Sequence, residues 1–442
     1  MKRLLLACLL VVLAAPAFAV IGTVDDVPAA TLLLPYFEVD LDNTDGINTL
    51  MSINNASATA VLAHVVVWSD LSDHVLDFNV YLTGYDVQTI SLRDIFVNGN
   101  LPRTADDGND PADTISPQGP ASYDDAYASC DPFLPYTNPA LNATYVEHVQ
   151  NLLTGQGSDS FGWDGQCSGV DHGDRIARGY ITVDTVNECS LEFPEDTGYF
   201  ISGGTGTASN ENVIWGDYFY VNPGQNFAQG ETLVHIEADA ALGVADYTFY
   251  YRYVAGADNR EGLGNVFAVR YLNGGGFDGG TDLLVWRDSK TSVPADDNRF
   301  DCGDWPPFYP LGQHQVVVFD EQENFEVPEG CTISPCDPGE ESNPFPYETQ
   351  RVSVGGGALP TSEDFGWLYL NLNFDSGYTF AAIDATPWVM QNWVTATMDA
   401  EGRFSVGFDA VQLGNVTTVS TAPDDCIYTF DDGGPVLPCP ID

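Results

Sequence analysis

Side-chain oxygens spaced around a tight turn are the usual material of a calcium site, because Ca2+ takes many oxygen ligands in a flexible shell. The segment Asp40-Leu41-Asp42-Asn43-Thr44-Asp45-Gly46-Ile47-Asn48 offers such oxygens around a glycine. With Gly46 at the sharp-turn position of an EF-hand-type loop, Asn43 and Asp45 fall on ligand positions. Leu41 then occupies the first ligand position, and Ser52 stands where a bidentate glutamate closes such a site. The flanks read as strands, so a hairpin turn is the plainer reading, with Asp40, Asp42, Asn43 and Asp45 as candidate ligands. Gly275-Gly276-Phe277-Asp278-Gly279-Gly280-Thr281-Asp282 is a fragment of the calcium repeats of β-rolls, which work in tandem. Asp278 and Asp282 are its candidate ligands, and a glycine-rich hairpin loop is the alternative. Ca2+ is the one cofactor these residue types suggest.

Aromatic loops offer a second kind of chemistry. Trp305-Pro306-Pro307-Phe308-Tyr309-Pro310 sets three rings on rigid turns, and Phe161-Gly162-Trp163-Asp164 has similar content. Flat rings beside Asp and Asn suit the apolar face and the hydroxyls of a sugar. Trp305, Phe308, Tyr309 and Trp163 are therefore candidate glycan contacts; the alternative is that they bury as caps on sheet ends. His64 sits in an apolar run and reads as a core histidine. His172, in Asp171-His172-Gly173-Asp174, is the best placed of the six histidines for acid–base work or metal binding. Neither G-x-S-x-G nor H-E-x-x-H occurs. Carboxylate pairs for glycoside hydrolysis are abundant, but only distances could select one.

The chain of 442 residues carries 64 acidic and 14 basic residues, a formal net charge of −50. Nucleic acid and anionic lipid reward clustered Lys and Arg, so neither is an expected partner. With 44% hydrophobic and 12% aromatic residues, the chain is built to fold. Lys2 and Arg3, the apolar run from Leu4 to Ala14, and Ala17-Phe18-Ala19 read as an export signal over residues 1–19. A lipid-attachment box at Leu5-Leu6-Ala7-Cys8 is the alternative. No later stretch has the roughly 18–20 uninterrupted apolar residues of a membrane helix. Beyond Cys8 stand Cys130, Cys167, Cys189, Cys302, Cys331, Cys336, Cys426 and Cys439. An even set in an exported chain predicts disulfides, and no C-x-x-C pair supports zinc. A periplasmic, cell-surface or extracellular location in a bacterium follows as the expectation.

Strand signals position these residues. Phe78, Val80 and Leu82 alternate with polar neighbours, as do Leu368, Leu370, Leu372 and Phe374, and Phe404, Val406 and Phe408. Period two with one apolar face predicts antiparallel sheets packed on one side. Turns are supplied by 43 Gly and 27 Pro. Strands are expected at Leu32–Val39, Thr49–Asn54, Val61–Trp68, Leu76–Leu82, Gln88–Leu92, Gly179–Val186, Tyr218–Val221, Leu233–Glu237 and Asp246–Val254. Asn142–Leu153 is the best helix candidate. The reading is all-β, with two antiparallel sandwiches. Residues 20–97 and 175–257 form the first, 98–174 an irregular disulfide-pinned insert, 258–420 the second, and 421–442 a Pro- and Asp-rich tail.

The run Met51-Ser52-Ile53-Asn54-Asn55-Ala56-Ser57, with Val65–Trp68, Leu76–Leu82 and Ile90–Leu92, resembles the Ig-like or fibronectin-like modules of exported bacterial proteins. Residues 212–237 and 402–413 are similar to uncharacterised secreted bacterial proteins. The resemblance covers about half the chain and implies a β-sandwich and export; it carries no catalytic or binding residue. The expected role is non-catalytic: structural, adhesive or surface-binding, toward a glycan, matrix or protein partner. A carbohydrate-active protein, either a binding module or a two-carboxylate hydrolase, is the alternative.

Overall fold

The computed structural model describes residues 27–102, 141–243, 246–254, 256–290, 299–308, 311, 316–326, 344–373, 390–414, 430–431 and 434–435. The expected leader, Tyr309, Phe374, Cys130, Cys331, Cys336, Cys426 and Cys439 lie outside them. The strands of the first half are β1 (Thr31–Asp40), β2 (Asn48–Asn55), β3 (Val61–Ser69), β4 (His74–Leu82), β5 (Val87–Ser91), β6 (Ile176–Val186), β7 (Ile214–Trp215), β8 (Asp217–Asn222), β9 (Phe227–Thr232) and β10 (Val234–Ile236). Those of the second are β11 (Val266–Leu272), β12 (Gly280–Arg287), β13 (Val316–Asp320), β14 (Phe325–Glu326), β15 (Thr349–Ser353), β16 (Phe365–Asn371), β17 (Asn392–Asp399), β18 (Ser405–Asp409) and β19 (Val411–Gly414). Among the described residues the α-helices are short: α1 (Leu92–Phe96), α2 (Ala143–Leu153) and α3 (Tyr251–Val254).

Every one of these strands pairs antiparallel with its neighbours. The order β10-β1-β6-β3-β4 makes one sheet, and β5-β2-β8-β9, with β7 on β2, makes a second. Their inward side chains share a core that includes Leu32, Met51, Ile53, Val65, Val67, Ile181 and Tyr218. β14-β13-β16-β11-β19 and β15-β12-β17-β18 form a second pair, around Phe267, Val269, Leu283, Val285, Leu368 and Val394.

A third core joins the two pairs. Val66 and Trp68 of β3 and Tyr180 of β6 point to the other face of the first sheet. There they meet Tyr199, Phe200, Phe249 and Tyr250 from connecting segments, Trp286 of β12 and Trp393 of β17. This explains why β3 reads Val-Leu-Ala-His-Val-Val-Val-Trp-Ser and is buried at every position. A strand covered on both faces needs no polar side.

The same cover corrects the expectation of a one-sided sheet at β4. Asn79 is fully buried there, its side-chain oxygen 3.0 Å from His64 Nδ1 and its amide donating to the Ser190 carbonyl (3.0 Å). Residues 246–254 also depart from the expected strand. Asp258 accepts from the Thr248 hydroxyl (2.5 Å) and the Tyr250 N–H (3.0 Å), which folds the chain back and leads into α3. The stretch from 98 to 174 is not irregular throughout. Within it, α2 begins with Asn142 accepting the Tyr145 N–H (3.0 Å) and buries Val149, Leu152 and Leu153 in the first core.

Candidate functional site

The acidic turns are bound to arginine. In the β1–β2 turn, Asp40 Oδ1 accepts the N–H groups of Asp42 (3.1 Å) and Asn43 (2.9 Å), and Asn43 Oδ1 accepts that of Asp45 (3.1 Å). These are the local bonds that make Asp and Asn turn residues. Arg93 of α1 donates to the carbonyls of Asp40 (3.3 Å), Thr44 (2.8 Å), Gly46 (3.1 Å) and Ile47 (2.8 Å). A guanidinium thus sits among the loop's carbonyl oxygens. Asp42 lies 3.8 Å from Arg175. Asp278 pairs with Arg403 at 2.5 Å, while Asp282 accepts from Ser353 Oγ (2.5 Å) and lies 3.5 Å from Arg351. Among the described residues, no three His, Cys, Asp or Glu side chains converge on a common point.

The aromatic loops are brought together. Cys167 and Cys302 form a disulfide across 135 residues of sequence. Beside it the Cys167 N–H donates to the Phe300 carbonyl (2.9 Å), and the Phe300 N–H returns the bond (3.2 Å). This staples the Phe161–Trp163 loop to the segment that leads to Trp305. Arg299 lies 5.5 Å from the Trp163 ring centre and donates to the Gly162 carbonyl. Phe161 is 56% exposed and Trp305 44%. Cys189 is disulfide-bonded as well. Of the four ring candidates, Trp163 and Trp305 flank the staple. Phe308 is half-buried, its backbone bridged to Lys290.

His172 has acquired a partner. Its Nε2 lies 3.0 Å from Oδ2 of Asp70, a carboxylate 4% exposed whose Oδ1 accepts the Val170 N–H (3.1 Å). An edge-on contact to Tyr347 at 5.9 Å continues to Trp305, 5.8 Å beyond. A histidine oriented by a buried carboxylate can hold one tautomer and pass a proton at the surface. His148 packs against Phe161 (5.0 Å) and Trp163 (5.6 Å), and burial lowers its pKa. His64 is fully buried, as its apolar neighbours predict.

Sequence reasoning missed a set of buried and half-buried ion pairs between the two halves of the chain. Arg252 of α3 is 2.8 Å from Asp288 and 3.1 Å from Glu348, and it donates to Ser72 Oγ (2.9 Å) and the Tyr253 hydroxyl (2.7 Å). Lys290 is 2.6 Å from Asp73. Arg351 is 2.9 Å from Glu38, whose other oxygen accepts from the Tyr36 hydroxyl (2.7 Å). Around Arg252, Trp68 stacks on Tyr180 (5.7 Å, 4°), and Trp286 on Phe249 (5.4 Å, 27°). These groups line a cavity with room for about one water molecule. One guanidinium faces two buried carboxylates, so burial pushes Asp288 up to about 6 while Arg252 stays charged. A signal for Arg252 did exist: in so acidic a chain, it lies between two tyrosines. An arginine buried among such neighbours needs a charged partner, because charged side chains are rarely buried unpaired. No protein-family model, curated protein or solved structure matches the chain.

Proposed function

We propose that the chain is an exported, non-catalytic protein of two Ig-like β-sandwiches that binds an extracellular partner through its stapled aromatic loops. The observation that carries this reading is the Cys167–Cys302 disulfide, which ties the segment bearing exposed Phe161 to the segment bearing exposed Trp305. A disulfide suits an oxidising compartment, and the leader read over residues 1–19 would deliver the chain there. The acidic surface disfavours nucleic acid and anionic membranes, leaving glycan, matrix or protein partners. Glycan is the class we favour. Phe161 and Trp305 offer flat apolar faces, and exposed Asp164, Asp301 and Asp304 beside them offer acceptors for hydroxyls.

A carbohydrate hydrolase is the second reading, favoured by the Asp70–His172 pair beside Tyr347 and Trp305. Glycan-array binding and reducing-sugar release, measured on the same purified protein, separate the two. Retention on a glycan, lost in Trp305→Ala and without sugar release, is the expected result. Sugar release abolished by His172→Ala would establish the hydrolase, and failure to bind any glycan would remove sugars as the ligand class.

A further inference from the structure

Lys290 is the only lysine beyond residue 2, and it is 4% exposed. Its Nζ lies 2.6 Å from Oδ1 of Asp73, which is 1% exposed, and 3.4 Å from the Ser72 carbonyl. Both ends are fixed before they meet. The Asp73 N–H donates to Ser69 Oγ (3.1 Å), and the Asp73 carbonyl accepts the Ser69 N–H (2.8 Å), in a turn where Ser72 takes φ +62°. On the other side, the Lys290 backbone bridges Phe308, and the Ser289 N–H donates to Glu348 (3.3 Å). Asp73 Oδ2 is buried with no hydrogen-bond partner among the described residues. Desolvating such a pair is costly as ions, and burial pushes the Asp73 carboxyl up to about 7, against the pull of Lys290. The other titratable groups facing it are His74 and Glu195.

We propose that Nζ of Lys290 and Cγ of Asp73 condense to an intramolecular amide that joins the two sheet pairs covalently. Proton transfer along the contact converts ammonium and carboxylate to amine and carboxylic acid without net change. The amine lone pair attacks Cγ, forming the N–C bond and moving the carbonyl electrons onto oxygen. The tetrahedral centre then collapses and breaks a C–O bond. That oxygen leaves as water, carrying the acid's proton and one from nitrogen, so no oxidant or outside reagent is needed. Fixed approach in a dry site replaces the entropy cost of bringing amine and acid together. The inference is independent of what the aromatic loops bind.

The test is mass spectrometry of the full purified chain after disulfide reduction. The expected protein is lighter than its sequence by one water and yields a branched peptide containing both Asp73 and Lys290. In denaturant, the Lys290 side chain should resist an amine-acylating reagent. Lys290→Arg and Asp73→Ala should each restore the full mass. Separate linear peptides and an acylated Lys290 from the wild-type chain would overturn the proposal. That reading comes from the wild type, so a variant that fails to fold does not blunt it.

Discussion

Arg252 faces Asp288 and Glu348 with a single positive charge, and this imbalance has a pH signature. Burial raises Asp288 to about 6, so the folded chain keeps a proton that the unfolded chain releases. Stability from this group is complete below its unfolded carboxylate range and is lost as pH rises through the folded value. Asp184 and Asp258 are raised by burial too, so a difference measurement is needed. Urea midpoints of wild type and Asp288→Asn, compared from about pH 4 to pH 7, isolate the group. The wild type should lose ground to the variant as pH rises; a constant gap would assign the proton elsewhere.

At the scale of elements, close approach of strands depends on particular glycines. A Cβ on Gly179 of β6 would lie 1.9 Å from the Trp68 carbonyl and 2.9 Å from the Phe37 ring. Phe37 sits there because the β1–β6 register shifts between Leu34 and Phe37. Gly179→Ala should therefore cost about 1–3 kcal/mol or more by overpacking. Gly357, where an added Cβ would meet nothing within 4 Å, serves as control, and its Ala variant should stay within about 0.5 kcal/mol. Equal urea midpoints for the two variants would refute the packing argument. Alternation was a weaker guide at β18: Phe404 and Val406, expected on a buried face, are 47% and 42% exposed. Only Phe408 of that set packs against the second core.

The chain combines a charge of −50 with a core that both sheet pairs share. Self-repulsion of that magnitude should be relieved by salt, which screens exposed charges over about 10 Å at 0.1 M. Raising NaCl should raise the melting temperature. Because Trp286 and Trp393 share a core with Trp68 and Tyr180, calorimetry should show one transition rather than two. With Arg93 seated in the Asp40–Asp45 turn and Arg403 on Asp278, calcium and magnesium should act alike at matched ionic strength. A larger effect of calcium would return those turns to the account as binding loops.

Local pattern alone located β2, β3, β4, β6, α2 and the buried state of His64, because alternation, apolar runs and caps are written within a few residues. It also singled out His172, Trp163 and Trp305. Their company was not legible. Asp70 lies 102 residues from His172, Cys302 lies 135 from Cys167, and Lys290 lies 217 from Asp73. A charge pair leaves no period in a sequence, and an abundance of Asp makes every arginine a plausible partner for many. Tertiary packing chose among them because removing a charge from water is costly, so the buried Arg252 and Lys290 and the half-buried Arg351 each sit against a carboxylate.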